Sequence, residues 1–466
     1  MKIQRGSFTM SNSKQKNILE VLIILALILA ILGFSVIKLG LAPQVPIMAA
    51  IALLILWGKM HRESWHLIHQ GITKGISTGL IPMIIFILIG ALIGVWIAAG
   101  IIPSMMVLGF EIVNPHIFIP SVFVICSVVG VAVGSAFTVT STVGIAFLGI
   151  GLSMGFSPAL IAGAVISGAV FGDKMSPLSD STNLSAAIAE VDLFLHIRNL
   201  MWTTIPAFFI ALIGFAILGT NSQEVPLEKI TEISQLLQSQ FTISWWSAVP
   251  VILIFVCAQI KLPAIPTLFI SIAVGIIMLL ATKTNVSIKE VADIIQNGYV
   301  SKTDNATIDT LLTHGGIQSM MWSISLIILA LALGGLLVEL GVISTLMNLL
   351  VRQLNTRGKL ILTTALSCIG INLLVGEQYL SIILPGNAFK EQYAVNGLHP
   401  LALSRVLEDS GAVVNSLVPW SVSGVFMAAT LGVPTLDYLP FAFFCLLCPI
   451  ITVIAGFTNI GIKKLA

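Results

Sequence analysis

The chain has 466 residues, of which 57% are hydrophobic and 9% are charged, with a mean hydropathy of +1.05. A water-soluble globule needs a polar surface that this composition does not supply, so the chain reads as a polytopic membrane protein. Its formal net charge of +2, spread over the connections between apolar runs, leaves no footprint for a nucleic acid.

Residues Ile18 to Leu39 form the first apolar run, preceded by Lys2, Arg5, Lys14 and Lys16. The run exceeds the roughly 7–15 residues of a signal-peptide core, so it reads as a retained first helix. Further spans are expected at 43–58, 79–101 and 116–133, then, after a Gly/Ser/Thr-rich interruption, in pieces over 143–171 and at 199–219. The second half offers 246–260, 262–281, 316–340, 360–375, pieces within 379–435, and 436–460. The expected fold is therefore all-α, with about 10–12 transmembrane segments. Of the polar stretches 59–78, 220–243 and 282–314, the first and last are amphipathic and are expected on the membrane surface.

Basic residues orient these spans. Lys59, Arg62 and Lys74 share one loop, Arg198 precedes a span, Arg352, Arg357 and Lys359 share another loop, and Lys463 and Lys464 lie at the C-terminus. With a cytoplasmic N-terminus all of them fall inside, while 102–115, without lysine or arginine, and the acidic 220–243 fall outside. The organisation expected is a cytoplasmic tail (1–17), a first repeat (18–219), an external linker (220–243), a second repeat (244–460) and a cytoplasmic tail (461–466).

The two repeats rest on an internal match. Val133-Gly134-Ser135-Ala136-Phe137 and Gly144-Ile145-Ala146-Phe147 overlie Val375-Gly376-Glu377-Gln378-Tyr379 and Gly386-Asn387-Ala388-Phe389 at an offset of 242 (376 less 134). Upstream, Ala91, Gly94, Gly100 and Met106 fall on Ala332, Gly335, Gly341 and Met347 at 241, and downstream Asp173 falls on Asp409 at 236. A chain this rich in Gly, Ala and Val also allows a chance alignment. The loop after 79–101 has no basic residue, whereas that after 316–340 has three, which sets the copies in opposite orientations. Inverted repeats with broken helices mark secondary transporters, whose site lies near the midplane between the halves.

Gly172-Asp173-Lys174-Met175-Ser176-Pro177-Leu178-Ser179-Asp180-Ser181-Thr182-Asn183 carries the densest polar chemistry. A charge at the centre of a bilayer costs roughly 2.5–3.5 kcal/mol on the insertion scale, so three in one stretch need a partner, a wet cavity or an ion. Pro177 frees a backbone carbonyl, as expected of a broken helix. Small hard cations take oxygen ligands from carboxylates, hydroxyls, amides and exposed carbonyls. The first half supplies Asp173, Ser176, Ser179, Asp180, Thr182 and Asn183; the second supplies Glu377, Glu408, Asp409, Ser410, Asn415 and Ser416. Asp173, Asp180 and Asp409 are the candidate sodium ligands, and Lys174 is the candidate charge balance. Where carboxylates crowd in a poorly solvated site, sodium and a proton compete for the same place, and exchange needs no separate proton wire.

Each residue also has a plainer reading. Asp180 could cap a helix, Glu408 and Asp409 could be a loop pair, Lys174 a structural counter-ion, and Glu339 a snorkelling side chain at a span end. His196 and Arg198 read as markers of the cytoplasmic edge and His314 as interfacial. Cys445 and Cys448 form a C-x-x-C pair inside an apolar segment with no second pair nearby, and read as core thiols.

The block from Gly172 to Leu184, followed by Asp192-Leu193-Phe194 and His196-Ile197, resembles the NhaC family of sodium/proton antiporters, as do Leu407-Glu408-Asp409-Ser410-Gly411 and Leu417-Val418-Pro419-Trp420. The resemblance covers nearly the whole chain. It implies a multi-pass carrier of the bacterial inner membrane from the wider ion-transporter superfamily, with re-entrant or broken helices in each repeat. Sodium and protons are then the carried species, lithium being a further cation for the same site, with no resident cofactor and no enzymatic step. Lipid and the carried ions are the expected partners, and a homodimer is compatible with that reading. Sodium-coupled malate/lactate antiporters in the same family resemble the chain too, but carry Gly-Thr-Ser-Trp-Gly-Thr where this one has Gly134-Ser135-Ala136-Phe137-Thr138-Val139. Exchange of a small organic acid is therefore the alternative. An intramembrane enzyme finds no support, since no H-E-x-x-H pair is present.

Overall fold

In the computed structural model, residues 16–112, 117–220, 227–260, 262–283, 286–301, 309, 312–313, 315–351 and 356–465 are described. Lys2, Arg5, Lys14, His314 and Arg352, used above for orientation or edges, lie outside them. Among the described residues the protein is all-α. Six helices are long and apolar enough to cross a membrane: Leu80–Ala98, Pro158–Met175, Leu193–Gly219, Ile265–Thr282, Ile317–Glu339 and Arg357–Val375. Val422–Leu431 and Thr435–Phe441, bent by 91°, make a seventh if taken as one span. The expected 10–12 is reached only by adding shorter apolar helices such as Ile18–Gly33, Gln44–Met60, Phe118–Val133 and Phe443–Thr458. At 1.5 Å per residue these span about 25 Å, a little under the hydrocarbon thickness.

The internal match persists in the backbone. Gly134 and Gly376, with φ of 70° and 75°, both end a helix in the left-handed conformation, which glycine adopts without steric cost. The next residue caps the following helix in each copy: Ser135 accepts from Thr138 N, and Glu377 from Leu380 N. Gly155 and Gly397 are again left-handed. Pro158 and Pro400 open the next helices at the first position, where a missing N–H costs nothing. Pro177 and Pro419 lie in the breaks that follow, and Ser179 and Ser421 cap the helices beyond them. All these pairs keep the offset of 242. That register places Asp173 opposite Asn415, which corrects the pairing of Asp173 with Asp409: capping geometry is a stricter guide than a shared acidic residue.

Two other expectations change. The amphipathic 59–78 stretch contains the helix Trp65–Thr78, but its Gly71 and Gly75 lie flush against Ile317–Glu339. A Cβ on Gly75 would come within 2.1 Å of the Leu331 carbonyl oxygen, so the backbones meet directly. Glu339, on that second helix, pairs with Lys74 at 2.6 Å. The Gly/Ser/Thr-rich interruption after 133 is brief, because the chain re-enters a helix at Ala136 and continues through a π-turn at Thr140–Gly144.

Close backbone contact also sets the first broken helix. Gly168 and Gly172 of Pro158–Met175 face Phe123, Cys126 and Gly130 of Phe118–Val133, where a Cβ on Gly172 would lie 2.3 Å from the Gly130 Cα. The glycine stripe brings the next two residues, Asp173 and Lys174, into the interior.

Candidate ion site

Pro158–Met175 stops just before Pro177, because proline clashes with the preceding turn and removes an N–H. Ser179, not Asp180, then caps the helix Asp180–Ile188, accepting from Thr182 N; Asp180 occupies the first turn, where a negative charge suits the helix dipole. The break is tied by side chains. Asn183 donates to the carbonyls of Pro177 (2.9 Å) and Ser179 (2.7 Å), Thr182 donates to the Lys174 carbonyl (3.1 Å), and Ser176 accepts from Leu178 N (3.2 Å).

In the second half, Glu408 and Asp409 are not a loop pair. They begin a π-turn, Glu408–Ala412, inside the helix that starts at Pro400, and such turns concentrate at functional sites. The two adjacent carboxylates serve different partners. Glu408 accepts from Ser181 (3.0 Å) and Thr182 (3.5 Å) on Oε1 and from Ser185 (2.7 Å) on Oε2. Asp409 pairs through Oδ1 with the Lys174 ammonium, while its Oδ2 accepts from Thr203 (2.8 Å) and from Thr452.

Lys174 and Asp409 are both fully buried. Removing one partner of such a pair strands a charge, whereas the intact pair is satisfied. Phe443–Thr458 backs it with one face: the Lys174 ammonium lies over the Phe444 ring (5.5 Å to the centroid) and near Cys448 Sγ (3.5 Å), and Thr452 completes the stripe. Cys445 and Cys448 are free buried thiols, as their apolar setting suggested.

A cavity of about 940 Å³ opens beside this pair. Its wall includes Asp173, Lys174, Asp180 and Ser181 from the first break, Glu408 and Ser416 from the second half, and Ser135, Thr138, Gln378 and Tyr379 from the two capped helix starts. Asp173 lies against Ser179 and within electrostatic reach of Glu408 and Asp180. Of the candidates named from the sequence, the structure thus brings Asp173, Lys174, Asp180, Glu408 and Ser416 to one cavity. Others stand behind it. Glu377 is buried and caps its helix through Leu380 N (2.7 Å). The Asn415 amide is occupied by Asn372 Oδ1 (2.8 Å) and Ser423 N (2.9 Å), and the Ser410 hydroxyl is buried without a hydrogen-bond partner among the described residues.

Sequence reading missed Ser185, Thr203 and Thr452, single hydroxyls in helices whose only signal is the carboxylate they meet in space. His196, in the first turn of its helix, is fully buried, and its Nδ1 meets Ser404 Oγ at 2.8 Å.

A family model for the Na+/H+ antiporter family matches residues 168–460, the part that contains both breaks and the Lys174–Asp409 pair. The chain belongs to the Na+/H+ antiporter family. This antiporter-family chain is 42% identical over 443 residues to the Na(+)/H(+) antiporter NhaC of Alkalihalophilus pseudofirmus, covering 95% of the chain and 96% of that protein. It is 36% identical to NhaC of Bacillus subtilis (90% and 92% covered) and 33% identical to the malate-2H(+)/Na(+)-lactate antiporter of the same organism (97% and 96%). The resemblance read from the Gly172–Leu184 block is thereby borne out, and the chain is a multi-pass membrane protein of that family.

Proposed function

We propose that the chain is a secondary antiporter that exchanges sodium for protons across the bacterial inner membrane, with its ion site on the cavity wall between Asp173 and Glu408. One observation carries this reading. Asp173, Asp180 and Glu408 line one cavity, and Lys174, the only basic residue among the described lining residues, is already neutralised by Asp409. The wall therefore carries surplus negative potential and oxygen ligands, which select a small cation. The hydroxyls of Ser181 and Ser185 stand on successive turns of one helix face and are within bonding distance of Glu408, so they can complete a shell of hard oxygens around sodium.

Exchange follows from competition. A carboxyl that holds a proton cannot ligate sodium well, and sodium entering the site expels that proton. If the carrier changes access only when loaded with one or the other, the two fluxes are obligatorily opposed. The family relationship to the NhaC proteins supports the same cargo. Cytoplasmic termini, with the halves 18–219 and 244–460 in inverted orientation, complete the proposal; a reporter fused to the C-terminus should respond as cytoplasmic.

The second reading is sodium-coupled exchange of a small carboxylate. The cavity volume favours it, since about 940 Å³ falls in the range of organic-ligand pockets. Purified protein in liposomes separates the two. Sodium-driven proton flux should appear with sodium and protons as the only permeant cargo, and malate or lactate should leave it unchanged. Lowering the pH should raise the half-saturating sodium concentration, by about tenfold per unit where one proton competes with one sodium. A flux that starts only on adding an organic acid would establish the second reading instead.

A further inference from the structure

The first helix, Ile18–Gly33, is tied by two ion pairs to the turn that joins Gln44–Met60 to Trp65–Thr78: Lys16 pairs with Glu63, and His61 Nε2 meets Glu20 Oε2 at 2.7 Å. The turn is tight. Arg62 takes a left-handed φ of 59°, Glu63 N donates back to the Gly58 carbonyl (3.0 Å), and the Lys59 ammonium donates to the Glu63 carbonyl (2.8 Å). His61 is held on its other side as well, with Nδ1 2.9 Å from the Trp57 carbonyl oxygen and the ring 4.6 Å from that of Trp57. Both of its nitrogens thus face acceptors. A carbonyl oxygen can only accept, so Nδ1 carries a hydrogen, and the 2.7 Å contact between Nε2 and Oε2 then needs one further proton, whether it sits on the nitrogen or on the carboxyl. A neutral imidazole beside an ionised carboxylate would set two lone pairs against each other. The contact therefore exists while that proton is bound and is lost when it leaves.

Water reaches the pair, because His61 and Glu20 keep 28% and 44% of their side-chain surface exposed. Imidazole is the side chain that changes charge between about pH 5 and 8. The charged and titratable groups around it are Lys16 just before the first helix, Lys59 on the second, Arg62 and Glu63 in the turn, and His66, His69 and Lys74 on Trp65–Thr78, Lys74 being paired with Glu339. Val342–Val351, which also packs on the first helix, has none. The turn leads to the cavity. Ser64 caps Trp65–Thr78, and Thr78 at its far end, with Ile81, Pro82 and Ile85 just beyond, forms part of the cavity wall.

We propose that the Glu20–His61 contact is a proton-operated latch that regulates exchange through Trp65–Thr78. With the proton bound, the first helix is fastened to the turn, and any movement of the cavity rim that shifts the turn must break the contact, so one access state is favoured. When the proton leaves, the carboxylate and the imidazole lone pair repel, and the bias disappears; a proton can shift such an equilibrium only by binding one state more tightly than the other. The rate of access change therefore rises with pH. Its effect on exchange rests on the sodium/proton reading above, whereas the proton dependence of the contact does not.

Two variants fix the latch in opposite states. Glu20→Ala removes it, and Glu20→Gln fastens it without the extra proton, since the amide can donate to His61 Nε2 while Nδ1–H stays on Trp57. Sodium/sodium counterflow in liposomes, at saturating sodium and equal pH on both sides, takes net proton movement and proton competition out of the readout. The wild-type rate should climb about two- to fivefold between about pH 6 and about pH 8.5, the bias that one partly exposed ion pair supplies. Glu20→Ala should run at the high rate throughout and Glu20→Gln at the low one. Thermal unfolding reads the latch apart from transport. The bound proton stabilises the folded chain, so its contribution is present at the acid end and lost as the pH rises: wild type should melt above Glu20→Ala at the low pH and level with it at the high one. Variant rates that follow the wild-type pH profile, or a melting gap that does not change with pH, would overturn the latch. Wild-type protein with the pH-dependent melting gap but no counterflow would uphold the latch and sink the sodium/proton reading instead.

Discussion

Lys174 and Asp409 come from opposite halves of the sequence and meet as a buried ion pair, with Thr203 and Thr452 holding the far oxygen of the aspartate. The pair divides the work of two neighbouring carboxylates. Asp409 neutralises the lysine, which leaves Glu408 and Asp173 to face the cavity. A buried pair of this kind is not by itself a source of stability, but each half is costly without the other.

Breaking the pair should therefore be worse than removing it. Lys174→Met or Asp409→Asn alone should destabilise the protein by about 3–5 kcal/mol, and the double variant should recover most of that loss. Thermal unfolding in detergent, read as a double-mutant cycle, measures the coupling. Additive losses would mean that the two groups do not depend on each other.

Glu408→Gln keeps the size of the side chain and much of its hydrogen bonding, but not the charge or the exchangeable proton. Sodium-driven proton flux should be abolished while the protein still inserts, and Asp173→Asn should do the same. Ser185→Ala removes one oxygen and should weaken apparent sodium affinity by roughly tenfold, the weight of one hydrogen bond to a charged group. Near-normal flux in both carboxyl variants would place the ion site elsewhere.

Asn415 is committed to Asn372 and Ser423, so Asn415→Ala should act on the fold. It leaves buried polar groups unpaired at about 1–3 kcal/mol. The melting temperature should drop, and the half-saturating sodium concentration of the assembled fraction should not move. A change in sodium affinity at unchanged stability would make Asn415 a ligand.

The contact of Trp65–Thr78 with Ile317–Glu339 leaves no room at Gly75 or Gly335, where an added Cβ would lie 2.1 Å from a carbonyl oxygen of the facing helix. Gly75→Leu should prevent stable assembly and Gly75→Ala should lower the melting temperature, since backbone cannot yield as a side-chain tip can. An unchanged melting temperature in Gly75→Ala would show that the two helices do not pack at this distance.

Much of this protein was legible in its residues because the signals are local. Apolar runs mark helices in lipid, proline and glycine mark where helices end, and the Gly172–Leu184 block marks the family. The repeat also announced itself, through Gly134 and Gly376, whose left-handed conformations only the backbone could confirm. What tertiary structure decided is which groups meet. Asp173 and Asp409 looked equivalent as carboxylates beside polar breaks, yet capping geometry aligns Asp173 with Asn415 and a π-turn sends Glu408 and Asp409 to different partners. Ser185, Thr203 and Thr452 carry no signal of their own, since a hydroxyl in a helix normally bonds its own backbone. His196 lies in the first turn of its helix, and only the helix packed against it shows that its side chain is buried. Helix ends follow from bonds between near neighbours in the chain, whereas the pairing of Lys174 with Asp409 spans more than 200 residues and depends on how the two halves close on each other.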